Sequence, residues 1–92
     1  MAHTFTLSIL TPEKTVFEGP VEYVQVPGTE GYLGVLANHA ALVTALAEGT
    51  LTMRAPSGVE SKVGVSGGFF EVSHNQATVL ADAVTGELKA TA

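Results

Sequence analysis

Apolar and polar residues alternate with a period of two along most of this chain. Phe5, Leu7 and Ile9 interleave with Thr4, Thr6 and Ser8, and Leu51, Met53 and Ala55 interleave with Thr50, Thr52 and Arg54. That period belongs to a strand with one face buried. Together with β-branched enrichment, it predicts further short strands at 15–18, 21–26, 33–36, 42–46, 59–65, 69–73 and 76–83. Turn chemistry separates them: Thr11-Pro12-Glu13-Lys14, Gly19-Pro20, Pro27-Gly28, Glu48-Gly49, Pro56-Ser57-Gly58 and His74-Asn75. No segment keeps a helical period long enough for a core helix. Asn38 is expected to cap at most a single helical turn through His39-Ala40-Ala41. The expected architecture is all-β: a two-sheet β-sandwich or flattened barrel of about eight to ten short strands, with two apolar faces covering each other.

Two glycine clusters interrupt this pattern. Gly28, Gly31 and Gly34 fall within seven residues, a spacing that predicts consecutive tight turns with Glu30 and Tyr32 pushed outward as a tip. Ser66-Gly67-Gly68 stands between two predicted strands and points to a bulge or a close backbone approach.

Composition narrows the possible functions. Ninety-two residues make one small domain, here expected to span 1–84 with a short tail at 85–92. There is no cysteine, so neither disulfides nor thiolate metal sites are available. No apolar run is long enough to span a bilayer as a helix, and the N-terminus lacks the pattern of a signal peptide. The net charge of -5, with only four Lys and Arg, argues against nucleic acid and against polybasic attachment to anionic lipid. Charged residues make up 14% of the chain, against about 25% in typical soluble domains. So sparse a charge suggests a surface partly covered by partners.

Candidate chemistry is scarce. His3, His39 and His74 show no ligand spacing, and no metal or cofactor is expected. No GxSxG elbow marks a nucleophile. The run 64–68, GVSGG, has the glycines of a phosphate loop but not its lysine or following helix. Glu71 and Asp82 are not paired by anything in the sequence. A biotinyl or lipoyl carrier domain would need a lysine in the matching hairpin context. Lys14 stands between Glu and Thr, and Lys62 between Ser and Val, so that reading is set aside.

Two longer stretches carry a resemblance. GTEGYLGVLANHAALVTALAEG (28–49) and SGGFFEVSHNQATVLAD (66–82) resemble, in this order, two motifs of the N-terminal domain of the epsilon subunit of bacterial F-type ATP synthases. The resemblance runs from the N-terminus to about Val84. It implies a β-sandwich in the central rotor stalk, non-catalytic, packed on the gamma subunit and resting on the membrane c-ring. It also implies a peripheral position on the cytoplasmic face of the bacterial inner membrane, with proton or sodium drive left open. By position, Glu30, Gly31 and Tyr32 are expected to meet the c-ring, and Thr11, His39 and Thr44 to lie on or near the gamma side. The family's C-terminal helical hairpin has no counterpart in these 92 residues, so inhibition by an extended arm is not expected of them. In isolation the chain is expected to be a monomer. Two positions depart from the family pattern. Many relatives carry an acid where Tyr32 stands, so its ring and hydroxyl are expected to replace an ionic contact. Relatives also often read Gly-His-Ala-Pro where this chain has Asn38-His39-Ala40-Ala41, which leaves the course of that turn open.

Overall fold

The computed structural model describes residues 3–86. Eight strands follow in chain order: β1 (Phe5–Leu10), β2 (Thr15–Val21), β3 (Tyr23–Gly28), β4 (Gly31–Leu36), β5 (Leu42–Arg54), β6 (Glu60–Ser73), β7 (Gln76–Ala81) and β8 (Val84–Thr85). Their hydrogen-bonded order is β2-β1-β7-β6-β5-β3-β4, with β8 on the free flank of β6. All pairings are antiparallel except β1 with β7. The expected all-β sandwich is what the chain adopts.

Two of the strands are long rather than short. β5 runs through Glu48-Gly49, where the sequence predicts a turn, and β6 runs through Ser66-Gly67-Gly68. β5 and β6 form one hairpin of constant register, Leu42↔Val72 to Arg54↔Glu60, and this hairpin serves both layers. The later half of β6 pairs β7 and its earlier half pairs β8. Burial changes phase midway. Ser61, Val63 and Val65 point inward on the early half of β6, and Phe70 and Val72 on the late half. On β5, Leu46 points inward before the crossing, and Leu51 and Met53 after it. A regular strand keeps one parity inside, so this switch needs a local irregularity. Gly67 and Gly68 supply it, with φ of 73° and 117°. A side chain at Gly68 would run into the Leu80 carbonyl oxygen. The expected close backbone approach is present.

The core lies between the layers. Phe5, Leu7, Ile9, Phe70 and Val79 line one side, and Val24, Val26, Leu51, Met53 and Val63 the other. Burying such side chains is worth about 1.5–3 kcal/mol each. Three further expectations are corrected. β2 continues through Gly19-Pro20 to Val21, because β1 supplies an antiparallel partner along its whole length. No helical turn follows Asn38, whose φ of 66° is left-handed and incompatible with a right-handed cap. Gly28 and Gly34 lie in paired strands, and of the three loop glycines only Gly31 takes a positive φ, 127°. The segment is therefore one hairpin and not a series of turns. At the C-terminal end, β8 pairs with β6 as far as Thr85, and residues 87–92 of the expected tail lie outside the described residues.

Candidate functional site

The hairpin β3–β4 forms a protruding tip. Gly28 faces Gly31 across it, leaving Thr29 and Glu30 as an exposed two-residue turn. A Cβ on Gly28 would approach the Gly31 carbonyl oxygen to 2.9 Å, so the narrow turn favours glycine there. Below the tip the β3–β5 ladder breaks between Gln25 and Gly28. Pro27 sits in this gap and has no amide hydrogen to offer. Its cross-strand neighbour on β4 is Tyr32. The Tyr32 hydroxyl reaches across the gap and accepts the amide hydrogen of Thr50 at 3.1 Å. It does so over Gly49, where a Cβ would lie 2.8 Å from that hydroxyl and 2.7 Å from Cβ of Pro27. Of the residues expected at the tip, Glu30 and Gly31 are there. Tyr32, 57% exposed, is anchored back against β5.

A second surface was not singled out from sequence. Leu10, Leu80, Phe69 and Ala45 are direct cross-strand neighbours on β1, β7, β6 and β5. They form one row across four strands. Phe69 is 57% exposed and Leu80 49%, and Val43, diagonal to Phe69, is 66% exposed. The next row is more polar: Ser8, Thr78 and Glu71, ending in Val43. A cleft of about 550 Å³ opens beside the apolar row, lined by Leu10, Thr11, Phe69, Leu80 and Asp82 among others. The signal in the sequence is the adjacent pair Phe69-Phe70. On a strand, one of two consecutive aromatics must face outward.

Thr11, His39 and Thr44 do not form one cluster. Thr11 lies beside the apolar row, its hydroxyl and amide tied to Lys14 in the β1–β2 turn. Thr44 is on the opposite face of β5 from Val43, across from Phe70. His39 lies at the far end of the layer, in a polar corner of about 400 Å³ with Asn38, Ala41, Ser73, His74 and Asn75. Thr11 follows Leu10, the partner of Leu80, whereas Asn75 precedes Gln76, the partner of Thr6. At about 3.3 Å per residue, the two ends are separated by about 20 Å.

Ionic chemistry is dispersed. Glu71 pairs with Thr78 in the ladder, and Asp82 lies four residues further along the chain from that level. Among the described residues, no group of three or more His, Cys, Asp or Glu is placed to share a metal ion. The guanidinium of Arg54 lies 5.3 Å from the Tyr23 ring centroid and binds Glu22 at 3.1 Å. It also lies 3.8 Å from Glu60. That cation is committed to the fold.

These surfaces belong to a chain with clear relatives. The profile of the ATP synthase delta/epsilon chain β-sandwich domain matches residues 4–87. An ATP synthase epsilon chain from Desulforamulus reducens is 51% identical over 82 residues, which is 89% of this chain and 61% of that one. One from Protochlamydia amoebophila is 48% identical over 80 residues, covering 87% and 54%. The chain thus spans somewhat over half the length of these curated relatives. A chain of the Euglena gracilis mitochondrial ATP synthase, solved with OSCP, F1 and c-ring, superimposes with a TM-score of 0.85 at 25% identity, covering 89% of this chain and 52% of that one. A chain of the Tetrahymena thermophila central stalk and c-ring shares the fold, with a TM-score of 0.74 at 17% identity, covering 90% and 66%. The motifs at 28–49 and 66–82, the sandwich they build and these likenesses agree: the chain belongs to the ATP synthase delta/epsilon family and carries its β-sandwich domain.

Proposed function

We propose that this chain is a non-catalytic rotor subunit in the central stalk of a proton- or sodium-driven F-type ATP synthase. It packs on the gamma subunit, rests on the c-ring and supports assembly and torque coupling. The observation that carries this reading is the apolar row Leu10, Leu80, Phe69 and Ala45, half exposed across four strands and bordered by polar residues. Burying the exposed halves of Phe69 and Leu80 against a partner returns roughly 1–1.5 kcal/mol each. Gamma covers this row in the proposal, with Thr11 at its border. His39 contributes from the polar corner, and Thr44 acts from behind β5 by supporting the strand that carries Val43 and Ala45. The turn at Thr29 and Glu30 with Gly31 meets the ring, and Tyr32 fixes its angle.

The domain sits on the cytoplasmic face of the bacterial inner membrane, held there by its partners. No helix among the described residues is long and apolar enough to cross a membrane. The test uses membranes depleted of their own epsilon subunit, to which the 92-residue chain is added. Recovery of gamma with the chain, and loss of gamma from a Phe69→Ser/Leu80→Ser variant of unchanged melting temperature, is the expected result. A wild-type chain that returns without gamma overturns the proposal.

A further inference from the structure

The three non-glycine residues with positive φ among those described are Asn38, His74 and Asn75, at 66°, 52° and 59°. All three lie in the corner that holds His39. Left-handed backbone is uncommon outside glycine, although Asn tolerates it better than most residues. Such clusters persist where the surroundings impose them. Here the imposing contact is reciprocal. The Asn38 amide donates to Oδ1 of Asn75 at 2.6 Å, and Nδ2 of Asn75 donates to Oδ1 of Asn38 at 3.1 Å. One carboxamide thus satisfies both the backbone and the side chain of a residue 37 positions away. The bonds join the connection after β4 to the two-residue turn between β6 and β7. His39 follows immediately, with Nδ1 2.7 Å from the Ala40 carbonyl oxygen, so its Nε2 edge is the one left for a partner. His74 is tied back to the Ser73 hydroxyl at 2.8 Å.

We infer that the Asn38–Asn75 pair is a clasp that presets the loop carrying His39, so that two separate turns meet the partner as one rigid surface. Asn75 is a positioning residue: it acts through Asn38 on His39. A loop ordered before binding need not be ordered during it, so the clasp contributes to affinity without touching the partner. This inference rests on the proposal that His39 contacts gamma.

The experiment compares Asn75→Gly, Asn75→Asp, His39→Ala and the Asn75→Gly/His39→Ala double variant of the 92-residue chain. Glycine keeps the left-handed backbone available and removes both amide bonds. Aspartate keeps an acceptor for the Asn38 amide and loses the donor. In the free chain, Asn75→Gly is expected to speed hydrogen exchange at Asn38 by about tenfold or more while core strand amides stay unchanged, and Asn75→Asp to restore part of the protection. Unchanged exchange at Asn38 overturns the clasp, whatever the partner does. Binding to an F1 subcomplex that contains gamma and lacks epsilon is the second readout. Asn75→Gly is expected to weaken it by about tenfold, as expected from the loss of one or two hydrogen bonds that order the loop. The double variant should be no weaker than His39→Ala alone. Additive losses overturn the positioning role. If His39→Ala binds as wild type, the His39 contact falls, and with it the positioning role, while exchange at Asn38 still decides whether the clasp exists.

Discussion

The Tyr32 hydroxyl holds the amide of Thr50 at 3.1 Å across the gap that Pro27 leaves between β3 and β5. A side chain thus replaces a missing rung of the ladder. The interaction also gives Tyr32 a role inside the domain itself. The ring covers Gly49, the hydroxyl is used internally, and the tip turn is braced against β5. Tyr32→Phe keeps the ring and removes the acceptor. Because the site is largely exposed, water can take the amide, so the expected loss is only about 0.5 kcal/mol by urea denaturation. Faster exchange at the Thr50 amide is the more specific readout, and an unchanged rate would exclude the brace.

The crossing glycines should differ in their tolerance of a side chain. At Gly67 a Cβ would meet Oδ2 of Asp82, the end of a flexible side chain, at 2.7 Å. Gly67→Ala should therefore cost about 1–2 kcal/mol, mainly from its left-handed φ. At Gly68 the obstacle is backbone, the Leu80 carbonyl oxygen. Gly68→Ala should cost more than about 3 kcal/mol, equivalent to a fall in melting temperature of about 12 °C or more. Equal melting temperatures for the two variants would contradict the geometry.

The tip turn should be dispensable for folding. Thr29 and Glu30 are exposed. Replacing Glu30 with Gln or Ala is expected to change stability by less than about 0.5 kcal/mol. Attachment of the stalk to the c-ring, measured by recovery of ring subunits with the reconstituted complex, should fall. Intact attachment in a turn variant carrying Thr29→Gly and Glu30→Gly would remove this turn from the ring contact.

The end of the described chain gives a fourth test. Val84 packs against the core, β8 pairs Gly64 and Val65, and the Ser66 amide donates to the Ala83 carbonyl at 3.0 Å. A chain ending at Asp82 should lose about 1–3 kcal/mol, because it exposes the flank of β6 and removes the Val84 contact. A chain ending at Gly86 keeps β8 and its pairing with β6, and is compared with the chain of all 92 residues. Complexes reconstituted with either of these two forms should hydrolyse ATP at the same rate. A several-fold rise on removing 87–92 would show that those residues inhibit.

Sequence alone was enough for the architecture because strand alternation is local. Phe5, Leu7 and Ile9 face inward at every second position whatever they meet. The hairpin turn at Pro56-Ser57-Gly58 and the close approach at Gly67-Gly68 were also legible, since each follows from what glycine and proline permit. Pairing over long sequence separations was not. The parallel match of β1 with β7 joins residues about 70 positions apart, as in Thr6↔Gln76, and no local pattern encodes it. That match sets Leu10 beside Leu80, and β6 then adds Phe69, so the apolar row exists only in the folded sheet. The continuity of β5 through Glu48-Gly49 was decided the same way: β6 supplied a partner at Ser66 and Val65, and the ladder overrode the local turn preference. Asn38 shows the limit most clearly. Its residue type permits both a helix cap and a left-handed turn, and the carboxamide of Asn75, 37 residues away, selects the turn.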